Sequence, residues 1–154
     1  MLSVLVADEN VQAAERMTPL ERATRTPKGQ LKNPYLDFTA VAKEGYRKYM
    51  AAGCNGCHGG GGGGGMAAPL TNRVWIYGDD DDTLFRVIAL GTGSLSPDNA
   101  FERLGYRRKG SETMEGPMPP FGNRETESIK TDDDLWKVIA WMRSVHCEER
   151  SSGC

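Results

Sequence analysis

Five consecutive residues, Cys54-Asn55-Gly56-Cys57-His58, restrict this chain more than anything else in it. Two thiols separated by two residues and followed at once by an imidazole form the C-x-x-C-H attachment pattern of c-type haem. Each thiol can add to one vinyl group of a porphyrin, and the adjacent His58 then falls beneath the iron as its proximal ligand. Other uses of paired cysteines fit less well. A thioredoxin-like dithiol belongs in a βαβ pattern, and a zinc site needs two further ligands at a paired spacing. The sequence offers neither. A chain that attaches one haem c through Cys54 and Cys57 must fold as a shell around it.

The composition agrees. At 154 residues the chain is long enough for one domain with its own core. Only 38% of it is hydrophobic, while 19 residues are glycine and 8 proline. Such a chain is loop-rich, and a buried porphyrin adds apolar surface that the side chains lack. The net charge of −2 argues against nucleic acid as a partner. No apolar run reaches the ~20 residues of a membrane span.

Met1 to Ala7 resembles the last part of a secretory signal with its cleavage site after Ala7, from a mis-set or trimmed start, with a frayed tail as the other reading. Residues 8–38 are polar and interrupted by Pro19, Pro27 and Pro34, which suits an extension lying over the domain or partly disordered. The monohaem domain is expected over residues 39–154. In bacteria the thioether bonds are made outside the cytoplasm, so the motif also points to the periplasm. There the two remaining cysteines, Cys147 and Cys154, should pair. Closing so short a loop stabilises by about 2.5 kcal/mol. The rival use of these cysteines, a metal site with His146, lacks a fourth ligand.

Three further helices stand out. Thr39 is placed to cap one through about Ala52, with Val41, Ala42, Gly45, Tyr46 and Tyr49 on its apolar side. Gly45 costs ~1 kcal/mol there relative to Ala and marks a close helix crossing. Asp79 to Asp82 precede Thr83–Leu90, and Gly91 follows, as carboxylates and glycine should at the two ends of a helix. The acidic run could also dock a basic partner. The last helix starts at Thr131 with Asp134 completing a capping box. Its stripe is Leu135, Val138, Ile139, Met142 and Val145, and Trp136 and Trp141 can close over a haem or pack on the first helix. A shorter helix is expected from Ser96-Pro97 to about Leu104. The basic Arg107, Arg108 and Lys109 come after it, as solvated surface or as contacts for a propionate or an acidic partner.

The loops carry the remaining candidates. The seven glycines Gly59 to Gly65 lack the Lys-Ser/Thr and the preceding strand of a phosphate loop, and read as a flexible loop near the haem edge. Pro69 is placed to offer its carbonyl to the Nδ1–H of His58. Met118 lies among Pro117, Pro119 and Pro120, where neither helix nor central strand can form. A stiff loop presenting one thioether is what a second axial ligand needs. Met114 is the runner-up, and Met66 comes third.

Gly45-x-x-x-Tyr49, the haem motif, Pro69-Leu70, the methionine loop and Val138-Ile139-Ala140-Trp141-Met142 together resemble a class I cytochrome c over about residues 39–146. The resemblance implies an all-α fold whose helices and long loops wrap one covalently bound haem, with the first and last helices crossed. Trp75-Ile76-Tyr77 and Met114-Glu115-Gly116-Pro117-Met118 are further similar to the periplasmic cytochromes of methanol-oxidising bacteria, such as cytochrome cL, the electron acceptor of quinoprotein methanol dehydrogenase. The Cys147 and Cys154 pair departs from cytochrome cL and is similar to a related four-cysteine group. The glycine run and the stretch from about Ser94 to Thr113 depart as well. The resemblance implies a periplasmic one-electron carrier, not an enzyme, monomeric and docking transiently. His58 and Met118 would hold its iron. Its donor would be a PQQ-dependent methanol or alcohol dehydrogenase, and its acceptor another cytochrome or a terminal oxidase. Two alternatives are a haem enzyme or gas sensor with an open sixth position, and a haem subunit held in a dehydrogenase complex.

Overall fold

In the computed structural model, which describes residues 17–109, 117–122 and 128–146, every regular element is helical. α1 spans Pro19–Arg25, α2 Thr39–Ala51, α3 Asn55–His58, α4 Asp81–Leu90, α5 Ala100–Arg103 and α6 Asp132–Val145. Short 3₁₀ turns lie at Gly93–Leu95 and Pro97–Asn99. The all-α class expected from the sequence is the class found.

The most extensive helix–helix contact joins α2 to α6, and a glycine permits it. A Cβ on Gly45 would stand 1.9 Å from the Lys137 carbonyl oxygen, so only hydrogen fits and the two backbones touch. Beside that point the Tyr49 and Tyr46 rings pack 4.2 and 5.2 Å from the Trp141 ring. Ion pairs Lys48–Asp134 at 2.7 Å and Lys137–Glu44 at 3.1 Å flank the crossing. Partly exposed pairs like these contribute only about 0–1 kcal/mol each, so packing holds the helices and the charges set their register.

α6 begins as expected, with Thr131 and Asp134 each accepting the other's amide. α2 begins differently. Thr39 is its first helical residue rather than its cap, and Asp37 accepts both the Thr39 amide at 3.1 Å and its hydroxyl at 2.5 Å. A carboxylate two residues upstream reaches both donors at once. The helix expected from Ser96 to about Leu104 is broken, because Asp98 and Asn99 take φ of 52° and 50°. Asp and Asn are the side chains that tolerate that region.

The segment from Met17 to Phe38 contains α1, a helix not among those expected from the sequence. Its Thr18–Glu21 capping box and Pro19 at the first position start it well, but 7 residues are too few to display a period. A buried ion pair fastens this segment to α4. Arg86, 1% exposed, donates from Nε to Asp82 at 3.0 Å, and its other N–H groups go to the carbonyls of Ala23, Thr26 and Pro27. Asp82 also accepts the Leu31 amide at 3.1 Å and the Tyr106 hydroxyl. Burial alone would raise the Asp82 carboxyl, but Arg86 and Tyr106 outweigh it and hold the pKa at about 2.

Gly45→Ala should destabilise the haem-loaded protein by about 1–3 kcal/mol through overpacking, read as a lower denaturant midpoint. A wild-type midpoint would mean that α2 and α6 separate without cost. The depressed Asp82 pKa implies stability that is complete above its unfolded value of ~4 and lost as pH falls through about 2. Acid unfolding of Asp82→Asn should therefore show a shallower dependence on pH in that window, and an unchanged slope would contradict the assignment.

Candidate functional site

α3 is a single helical turn that follows α2 almost directly. The Cys54 amide bonds the Tyr49 carbonyl at 3.2 Å and the His58 amide bonds the Cys54 carbonyl at 3.0 Å. One turn therefore carries Cys54, Cys57 and His58 together, and all three line one cavity of about 510 Å³. That volume lies within the range of roughly 300–1,000 Å³ typical of small-molecule sites. Val138 and Met142 of α6 and Leu84, Val87 and Ile88 of α4 form much of the wall. Among the described residues no acidic or basic side chain other than His58 lines it.

These residues fit a haem. Neither Cys54 nor Cys57 is tied up in a disulfide, which leaves both sulfurs available for thioether bonds. Among the described residues no group of three His, Cys, Asp or Glu side chains could hold a metal ion, so the paired cysteines have no zinc-site partners there. An apolar cavity with two thiols and an imidazole at one wall matches a flat ring attached at its edge and ligated at its centre.

His58 Nδ1 lies 2.9 Å from the Ala68 carbonyl. With that nitrogen donating, Nε2 keeps the lone pair a metal needs. Burial lowers the His58 pKa and the bond to Ala68 partly offsets it, so the net shift is downward and favours the neutral, ligating ring. The sequence points to Pro69 for this role, and the structure corrects it by one residue. The loop is tied by Ala67 N–H to the Cys57 carbonyl at 3.0 Å and by Leu70 N–H to the Gly62 carbonyl at 2.7 Å. Between those ties the Pro69 ring turns onto Gly64, where an added Cβ would lie 3.0 Å from Pro69 Cγ. Pro69 lines the cavity rather than holding the imidazole.

The glycine run, expected to be a flexible loop, is a hydrogen-bonded turn. Gly62 N–H bonds the Gly59 carbonyl at 3.1 Å and Gly64 N–H bonds the His58 carbonyl at 2.8 Å. Met118 lines the cavity. The loop that carries it lies across the C-terminal end of α4, where carbonyls have no partner within the helix. Phe121 and Gly122 supply amides to the Ile88 and Ala89 carbonyls, both at 2.9 Å. Gly91, at φ 68°, leaves room for this approach, since a Cβ there would be 2.7 Å from the Met118 carbonyl oxygen.

The other candidates divide. Met114, Cys147 and Cys154 lie outside the described residues. Met66 is at the cavity but 61% exposed, a poor position for a sheltered ligand. His146 is buried, with its ring 4.2 Å from that of Trp75, a cavity residue whose indole donates to the Leu70 carbonyl. Trp141 packs on α2 and Trp136 on Phe85 at 4.4 Å, and neither lines the cavity. Asp80 caps α4, Asp81 pairs with Arg143 at 2.6 Å and Asp82 with Arg86, so most of the acidic run serves the fold. Arg107, Arg108 and Lys109 are exposed, and the Lys109 amide bonds the Ile76 carbonyl at 2.5 Å beside the cavity wall. Ala68 and Thr92 belong to the site without any sequence signal, because one acts through its main chain and the other is a lone hydroxyl.

A profile of the family described as Cytochrome c matches residues 42–146. Among solved structures, cytochrome cL from the marine methylotrophic bacterium Methylophaga aminisulfidivorans is 23% identical, with 80% of this chain and 73% of that one covered at a TM-score of 0.49. Cytochrome cL from Hyphomicrobium denitrificans is also 23% identical, with 88% and 66% covered at a TM-score of 0.50. At that identity the likeness is one of fold. No match is found among curated proteins.

Gly64, at φ 96° and against Pro69, should resist substitution, whereas Gly60 and Gly61 have no atom within 4 Å of a Cβ. Gly64→Ala should cost about 1–3 kcal/mol and Gly60→Ala less than about 0.5 kcal/mol in denaturant unfolding. Equal effects would mean that the run is not the ordered turn described.

Proposed function

Because the chain belongs to the cytochrome c family, we propose that it carries one electron at a time on a haem c attached to Cys54 and Cys57, with His58 and Met118 as axial ligands. It is an electron-transfer protein rather than an enzyme, and haem c is its cofactor. The observation that carries the ligand assignment is that His58 and Met118, far apart in sequence, line the same apolar cavity.

When bound, the haem supplies a one-electron couple between ferric and ferrous iron. The protein's own part follows from its residues. Ala68 orients the imidazole and keeps its proton on Nδ1. The thioether is neutral and the cavity lining is largely apolar, so the less charged ferrous state is favoured and the potential raised. Both ligands sit on segments tied by hydrogen bonds, so little need move when the electron does.

The reading extends to the periplasm, to a PQQ-dependent methanol or alcohol dehydrogenase as donor, and to another cytochrome or a terminal oxidase as acceptor. Its support is the likeness of Trp75-Ile76-Tyr77 and of the Met118 loop to cytochromes cL, and a fold like that of the Hyphomicrobium protein. No described helix is long and apolar enough to cross a membrane. Met66 and Val74, each 61% exposed at the cavity, offer the small apolar contact that transient redox docking of a monomer uses. Residues 39–154 are then the haem domain, residues 1–38 a signal remnant and extended N-terminal segment, and Cys147–Cys154 a disulfide at the domain's end.

Optical spectra of the wild type and of Met118→Ala test the ligands. The oxidised wild type should be low-spin with a weak Met-to-iron charge-transfer band, and the variant should lose that band and bind carbon monoxide when reduced. A high-spin wild type that binds carbon monoxide as readily as the variant would mean an open iron, and the enzyme or sensor reading would replace this one.

A further inference from the structure

In the run Pro117-Met118-Pro119-Pro120, three of the four residues have no amide hydrogen. The Met118 N–H is the one donor through which this stretch can be fixed by its main chain. It donates to Thr92 Oγ1 at 2.9 Å. The Thr92 amide in turn donates to the Met118 carbonyl at 2.9 Å. Residue 92 thus grips residue 118 by both polar atoms of its backbone.

Thr92 is itself held. It is 1% exposed and lines the same cavity as Met118. On one side it follows Gly91, where α4 and the loop are in backbone contact. On the other, a Glu102 carboxylate oxygen accepts the Gly93 amide at 2.9 Å, and Pro117 Cβ lies 3.2 Å from where a Cβ of Gly93 would be. The hydroxyl therefore projects from a fixed point.

We propose that Thr92 is the positioning residue for the sixth ligand: its buried hydroxyl fixes the Met118 main chain so that the thioether is held ready for the iron. The proposal rests on the reading of Met118 as that ligand. A thioether is a weak, uncharged donor on a side chain with three rotatable bonds. Its hold on the iron depends on how much freedom the loop must give up on binding. Fixing the loop beforehand removes that cost. Losing the hydroxyl leaves the Met118 amide without a partner and residue 118 held to residue 92 through its carbonyl alone, so the sulfur is less firmly placed.

The experiment uses haem-loaded Thr92→Val, which keeps the shape without the hydroxyl, Thr92→Ser, which keeps the hydroxyl, and Met118→Ala as reference. Three quantities are read on each: the Met-to-iron band, imidazole affinity of the ferric protein, and the unfolding midpoint. Thr92→Val should weaken the band and bind imidazole about tenfold more tightly, as the loss of one buried hydrogen bond to the competing ligand's loop requires. Thr92→Ser should return toward the wild type. If Thr92→Val does not load haem, Thr92→Ala set against Thr92→Ser makes the same comparison. Wild-type band and imidazole affinity in Thr92→Val, with or without a lower unfolding midpoint, would overturn the proposal. So would a serine variant that behaves like valine. Either result would leave the ligand reading standing if Met118→Ala abolishes the band. A Met118→Ala protein that keeps the band would instead remove the ligand reading itself.

Discussion

The contact of Gly45 with the Lys137 carbonyl sets where everything else in the site can be. Two helices that meet at their backbones have no slack in their separation, and side chains on either side of the contact are indexed to it. α2 leads almost directly into the turn that bears Cys54, Cys57 and His58, while α6 carries Val138 and Met142 into the cavity. The attachment turn and the facing wall are therefore set at one spacing by one hydrogen atom. The Tyr49 and Trp141 rings fill the space beside the crossing and make it hard to slide.

α4 supplies the second frame, and does so with charge and main chain rather than close packing. Its first two turns hold the buried Asp82–Arg86 pair, through which the segment around Ala23, Thr26, Pro27 and Leu31 is bound. A buried ion pair is weak evidence for stability in itself, since desolvation opposes the attraction. Here the guanidinium's other donors and the carboxylate's other acceptor sites are taken up by backbone groups and Tyr106, so neither ion is left with an unmet polar need. The last turn of α4 does the opposite job. Its unpaired carbonyls are acceptors, and the methionine loop is the donor segment that meets them.

Much of this is legible in the residues alone. Cys54, Cys57 and His58 declare themselves by spacing, α6 by its stripe and capping box, α4 by its acidic start and glycine end, and Gly45 by standing inside a helix. What the sequence hides has physical reasons. The acceptor for His58 is a main-chain carbonyl, and every residue has one, so the choice between Ala68 and Pro69 depends on loop register that Ala67 and Leu70 decide through their own amides. α1 is too short to show a period. Thr92 carries no pattern at all, because its role depends on a partner 26 residues away, brought in by the loop across the end of α4. The ordering of the glycine run likewise comes from the His58 carbonyl and from Leu70, not from the glycines' own chemistry.

The two ends of α4 hold unrelated things, the N-terminal segment at one and the methionine loop at the other, with 10 residues between them. That makes the helix a ruler about 15 Å long, at ~1.5 Å per residue. A side-chain replacement that leaves the helix intact would keep that length, even though most of the residues along it are buried. A one-residue insertion or deletion would not, because it would turn one end by about 100° relative to the other and shift it along the axis. Among relatives of this chain, a change in the length of α4 is therefore incompatible with the site in a way that a change of a single side chain need not be.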